Sequence, residues 1–99
     1  SSNNKTINIE FIQNLVASHF NLNIQELLSP RRSRSLARPR QIAMYLAKQH
    51  TTNSLPDIGR KFSNRDHTTV IHAVKKIDEL IKKDNEIKQN VIELKKKLI

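Results

Sequence analysis

Apolar residues recur along this chain at steps of three and four, and several of the runs begin behind a side chain able to cap a helix. Asn8 precedes Phe11, Ile12, Leu15, Val16 and Phe20, which fall on one side of a first helix. Asn23 precedes a short turn of helix carrying Ile24, Leu27 and Leu28, stopped by Ser29-Pro30. Ile42, Ala43, Leu46 and Ala47, with Tyr45 alongside, predict an amphipathic third helix from about Arg40 to His50. Pro39 is placed in its first turn, where a missing amide has no intrahelical partner to lose. Ser54 with Leu55-Pro56-Asp57 combines a cap, an early proline and a first-turn acid, and predicts a short fourth helix on which Ile58 and Phe62 share a face. Gly59 costs that helix about 1 kcal/mol of propensity unless close packing of a second helix recovers it. After a turn at Ser63-Asn64 comes the longest stripe: Val70, Ile71, Val74, Ile77, Leu80 and Ile81. A polar break at 83–85 separates it from Ile87, Val91, Leu94 and Leu98. Nothing alternates with period two over a useful length, and no internal repeat is evident, so the expected class is all-α.

Composition narrows what such a bundle can be. The chain has 99 residues, 36% of them hydrophobic, with one Gly, no Cys and no Trp, which fits a single domain over 1–99 with a modest core. Without cysteine there is no disulfide and no thiolate metal site, a composition compatible with a reducing cytosol. No apolar run approaches membrane-spanning length, and no signal-peptide pattern opens the chain. It begins Ser-Ser-Asn-Asn-Lys without Met, and is expected to be a piece of something longer.

The formal net charge is +9, and residues 27–77 hold all of the excess, with Arg31, Arg32, Arg34, Arg38, Arg40, Lys48, Arg60, Lys61, Arg65, Lys75 and Lys76 against only Asp57 and Asp66. The flanks cancel. This is the electrostatic footprint of a polyanion site. Five arginines with no acid between Pro30 and Gln41 read as an exposed basic loop at 30–38. Arginine in place of lysine suits multidentate grip on phosphate or entry into a narrow minor groove.

The short fourth and long fifth helices, joined by a tight turn, have the outline of a helix-turn-helix over 54–82. The stretch SNRDHTTVIHA, residues 63–73, then sits where a reader helix meets base edges. Ser63 followed three positions later by Asp66 reads as a capping box. Arg65 can grip guanine O6 and N7, Asp66 can accept from the cytosine amino group, Thr68 and Thr69 can touch thymine methyls or donate to phosphate, and His67 can do either. A blander reading stands beside this one, in which Asp66 only caps the helix and the threonines are tolerated first-turn residues. A second function class also stays open: a helical interaction module whose basic surface meets an acidic protein or a membrane, with the Lys-rich last helix offering apolar positions to a partner. Other chemistries are poor. His67 and His72 lie about 140° apart around a helix, His19 and His50 are scattered, and no metal site is expected. A chain with one Gly has no glycine-rich phosphate loop. Adjacent Asp66, His67 and Thr68 diverge too far to form a catalytic triad. The stripe on 9–20 is read as core, not as a lipid-binding face.

GRKFSNRDHTTVIHAVKKI, together with LLSPRRSRSLARPRQIAMYLAK upstream, closely resembles the C-terminal DNA-binding domain, domain IV, of the bacterial DnaA replication-initiator family, over roughly Thr6 to Leu98. The resemblance implies an all-α, compact helical bundle of about six helices, containing a helix-turn-helix with a preceding basic loop. With it go a C-terminal helix at 85–98 and an N-terminal tail at 1–6. It implies a non-enzymatic module whose ligand is double-stranded DNA, the DnaA box resembling TTATCCACA, in a cytoplasmic, nucleoid-associated protein. By motif position, Arg65, Asp66, His67 and Thr68 would contact bases from the major groove, and Arg32 would enter the adjacent minor groove. Arg31, Ser33, Arg34, Arg40, Gln41, Lys48, Leu55, Pro56 and Thr69 would hold phosphates or the groove wall. Pro30 stands where many relatives carry another basic residue, which puts one phosphate contact in doubt. The resemblance implies no cofactor for this segment, because ATP belongs to an ATPase module that these residues do not include. It also implies no membrane contact and a monomer in isolation.

Overall fold

A computed structural model describes residues 7–98, and the tail expected at 1–6 lies outside the described residues. The chain forms α1 (Ile9–His19), α2 (Ile24–Leu28), α3 (Arg34–His50), α4 (Leu55–Lys61), α5 (His67–Lys83) and α6 (Asn85–Leu98). The described residues contain no strand. The local signals at the helix starts act as read. Asn8 Oδ1 accepts from the Phe11 amide at 2.7 Å. Asn23 and Glu26 exchange the reciprocal bonds of a capping box. Ser54 Oγ accepts from the Asp57 amide at 3.3 Å. In the polar break, Asp84 Oδ1 accepts from the Glu86 amide at 3.0 Å and opens α6.

Helices α3 and α5 cross at the centre and make the most extensive helix pair, with α1 and α2 packed on α3, and α4 and α6 on α5. Ile42 through Ala47 are six consecutive buried residues, so the middle of α3 is enclosed on every side, while its ends carry the exposed polar residues Arg34, Ser35, Lys48 and Gln49. Ile12, Val16, Leu27, Ile58, Phe62, Val70, Ile77 and Leu94 close around it. Of the apolar positions of α6, Val91, Leu94 and Leu98 are buried in this core, and Ile87 packs against it half-buried.

One element differs from expectation. The region read as a basic loop to residue 38 is extended only through Ser33, and α3 begins at Arg34. Pro39 is therefore inside the helix, where it removes the amide that would bond the Ser35 carbonyl. Burial of Leu36 and of Pro39 itself, three positions apart on one face of the helix, offsets that cost. None of the described helices is long and apolar enough to cross a membrane.

Two ties set α4 on the bundle. Buried Gln13 donates Nε2 to the Lys61 carbonyl at 2.9 Å, at the end of α4. Lys61 Nζ meets Glu10 Oε2 at 2.6 Å and lowers the Glu10 carboxyl from its ordinary range, though both groups are half exposed and the pair contributes little.

His50, the last residue of α3, has a buried Nε2 without a hydrogen-bond partner among the described residues, and burial, then Lys95, pushes its imidazole below the ordinary value of 6.5. A depressed folded value means that the unfolded chain takes up the proton first. Stability from neutral His50 is thus fully present above about pH 6.5 and is lost as pH falls below that. Acidification from pH 7 to 5 is expected to lower the thermal midpoint of the wild-type chain by more than that of His50→Gln. Parallel midpoint curves for the two proteins would contradict this.

Candidate nucleic-acid interface

The turn between α4 and α5 is built on a close backbone approach. A Cβ on Gly59 would lie 2.1 Å from the Arg65 carbonyl oxygen, so only a residue without a side chain lets the start of α5 come this near. The Arg65 amide donates back to the Gly59 carbonyl at 2.8 Å, and the Asn64 amide to that of Arg60 at 3.2 Å. Ser63 and Asn64 take left-handed conformations, φ 63° and 56°, to make the reversal, and fully buried Phe62 anchors it.

From this turn α5 emerges with Asp66, His67, Thr68 and Thr69 all exposed, while Val70 is already buried. The capping box expected here is absent. Asp66 is the N-cap residue, but its side chain accepts no helix amide, and Ser63 Oγ donates to the Leu28 carbonyl at 2.9 Å instead. The left-handed turn points Ser63 away from α5, which is why the local spacing misleads. Asp66 is 69% exposed in its side chain, and its Oδ1 lies 3.1 Å from His67 Nδ1. A carboxylate released from capping is available to an outside donor.

Beside the reader turn runs the extended segment Arg31–Ser33, whose three residues are exposed. Between them lies a cavity of about 560 Å3 lined by Leu28, Pro30, Arg32, Arg40, Ser63, Arg65 and Thr69. No Asp or Glu is among these, so Arg32 and the first turn of α5 share one acid-free groove. Gln41 and Thr69 line a smaller adjoining cavity with His72. Lys48 is exposed near the far end of α3, and half-buried Leu55 and exposed Pro56 open α4. None of the three lines the groove. Arg34 lines a separate cleft with Arg38, Asp84 and Glu86, and so faces acids away from the reader turn.

Two of the arginines bond to backbone within the protein. Arg40, expected at a phosphate, is only 7% exposed and donates Nε to the Leu27 carbonyl at 2.9 Å and Nη2 to that of Arg31 at 3.1 Å. Arg65, expected to reach a guanine edge, turns inward and donates to the Phe62 and Ser29 carbonyls, each at 2.6 Å. Burial lowers the pKa of both guanidinium groups, and Arg65 adds to the effect at Arg40. The physical reason is the supply of backbone carbonyls at the end of α2, on the arm and at the end of α4, which a guanidinium satisfies without needing a carboxylate. Ser63 belongs to the same arrangement and was missed as anything but a cap. Its position in a reversal beside a polar Asn was the available signal. Among the described residues no cluster of His, Asp or Glu could hold a metal ion.

The family described as bacterial dnaA protein helix-turn-helix matches residues 9–77, from α1 through most of α5. The chain is 56% identical over 95 residues to the chromosomal replication initiator protein DnaA of Brucella abortus biovar 1 (strain 9-941), covering 96% of the chain and 19% of that relative. It is 55% identical over 95 residues to the protein of the same name from Wolbachia pipientis wMel, covering 96% of the chain and 21% of the relative. With that of Bartonella quintana (strain Toulouse) it shares 54% identity over 99 residues, all of this chain and 20% of the relative. The chain thus spans about a fifth of the length of the curated relatives it matches.

Proposed function

The chain belongs to the bacterial DnaA helix-turn-helix family, and from that premise we propose that it binds double-stranded DNA sequence-specifically, at boxes resembling TTATCCACA in a replication origin. It acts as a non-enzymatic, monomeric module that brings a larger initiator to the origin. The observation that carries this reading is the run of four exposed residues, Asp66 to Thr69, opening a helix beside an acid-free arginine groove. Short side chains at a helix start suit the floor of a major groove. Asp66, His67 and Thr68 contact base edges there, and Thr69 supports them at the groove wall. Arg32, on the extended arm, enters the neighbouring minor groove. Arg31, Ser33, Gln41 and Lys48 hold phosphates, with Leu55 and Pro56 against the groove wall, and these contacts place the reader without adding sequence information. Burial of Val91, Leu94 and Leu98 in the core leaves those positions of α6 unavailable to the partner that an interaction module would need.

Anisotropy titration of a labelled duplex carrying TTATCCACA and of a scrambled control, at two salt concentrations, tests the assignment. A preference on the order of 10³ that survives the higher salt is expected. Equal binding to both duplexes, vanishing with salt, would refute it. In the same assay Lys48→Ala is expected to weaken both duplexes by a similar factor and to reduce the salt slope by about 1. A change in the ratio between duplexes would give Lys48 a different role.

A further inference from the structure

Leu27, Leu28, Ser29 and Arg31 each accept a hydrogen bond from a side chain of another element. Arg40 of α3 takes the Leu27 and Arg31 carbonyls, and Ser63 of the turn takes that of Leu28. Arg65 bridges two segments: Nη2 donates at 2.6 Å to Ser29, the C-cap of α2 two residues before the arm, and Nη1 at 2.6 Å to Phe62, where α4 ends. Its planar fork can serve both carbonyls at once, which a single ammonium on a flexible stem does poorly. The backbone of the same residue is held from the other side, by its amide bond to Gly59 and by the contact that leaves no room for a Cβ there. A guanidinium that left this place for a base edge would strand the Ser29 and Phe62 carbonyls.

We infer that Arg65 is a positioning residue that sets the offset between the Arg32 arm and the first turn of α5, so that minor-groove and major-groove contacts engage in one register. The inference rests on the DNA-reading assignment above for its purpose, and on the free protein for its geometry. Each can be tested separately.

Amide ¹⁵N relaxation on the free chain is the first measurement. Arg65→Ala is expected to lower the order parameters of residues 31–33 from roughly 0.85 to below about 0.6, with α5 unchanged. An arm as ordered as in the wild type would overturn the inference, whether or not the chain binds DNA. Arg65→Lys, which keeps the charge and bridges one carbonyl at a time, is expected to give a smaller loss of order and serves if the alanine variant does not fold. A lysine variant indistinguishable from the wild type would also overturn it. The second measurement is a double-mutant cycle on the box duplex. Arg65→Ala is expected to weaken binding about tenfold alone and less than about twofold in an Arg32→Ala background, because the arm it positions is already disabled. Losses that simply multiply, or a preference lost at one base pair only, would make Arg65 a base reader and not a positioning residue. Failure of the wild type itself to prefer the box would sink the DNA-box assignment and leave the relaxation result to decide this one.

Discussion

Gly59→Ala is expected to destabilise the chain by about 2 to 3 kcal/mol, lowering the thermal midpoint by roughly 10 to 20 °C. Two effects oppose each other. Alanine is the better helix former by about 1 kcal/mol, and Gly59 has no left-handed backbone to protect, so propensity alone favours the substitution. The added methyl, however, would sit 2.1 Å from the Arg65 carbonyl oxygen and 3.2 Å from its carbon. These are backbone atoms, which cannot swing aside as a side-chain tip would. Relief requires α5 to back away from α4, which stretches the 2.8 Å bond from the Arg65 amide to Gly59 and disturbs buried Phe62. Overpacking against backbone therefore outweighs propensity. Thermal unfolding followed by circular dichroism is the check, and a midpoint that stayed level or rose would show that the turn yields to a methyl group. Because the displaced residues are Arg65 and Asp66, box affinity is expected to fall even at temperatures where the variant is folded.

Asp66→Ala is expected to separate two roles that the sequence leaves superposed. As an N-cap whose side chain accepts no helix amide, Asp66 stabilises α5 through its charge at the positive end of the helix and its exposed contact with His67. The stability loss is therefore about 0.3 to 1 kcal/mol, below the cost of about 1 kcal/mol typical for removing a bonded cap. As an acceptor for a cytosine amino group it is expected to supply about 1 to 3 kcal/mol of discrimination at one base pair, or roughly 5- to 150-fold. The sign on scrambled DNA is opposite, since loss of a carboxylate near phosphates relieves repulsion and non-specific binding strengthens. Titrating the variant against duplexes substituted one pair at a time gives both numbers. If stability dropped by about 2 kcal/mol and the base preferences were unchanged, Asp66 would be a cap and nothing more.

Positions that respond only to near neighbours were legible in the chain. Asn8, Asn23 and Ser54 cap the helices they precede, and each bond spans three residues. The apolar stripes of α5 and α6, and Ile12 and Val16 of α1, lie on the inward faces for the same reason, because a helix turn brings residues three and four apart together, whereas Phe11, read with the α1 stripe, is exposed and Ile9 is buried in its place. Gly59 was legible too, since an interior glycine in so short a helix has no local justification and points to a close neighbour. The concentration of arginine in 27–77 announced a polyanion site without any knowledge of shape.

What lay beyond the sequence was every feature whose partner is distant in the chain. Local rules favoured starting α3 near Arg40, with Pro39 in its first turn. Its true start at Arg34 depends on Leu36 and Pro39 finding a buried place among other helices. Ser63 had a plausible local partner in Asp66, yet the one it bonds is Leu28, thirty-five residues earlier. Arg40 and Arg65 carry the same side chain as Arg31 and Arg32, and composition treats all four as surface charge. Which of them turn inward depends on carbonyls at the end of α2, 13 residues before Arg40 and 36 before Arg65. Periodicity and capping are properties of a few consecutive residues and survive in the unfolded alphabet of the chain. The direction of a long cationic side chain is decided by whichever unsatisfied acceptors the assembled helices place within reach, and those exist only once the fold has formed.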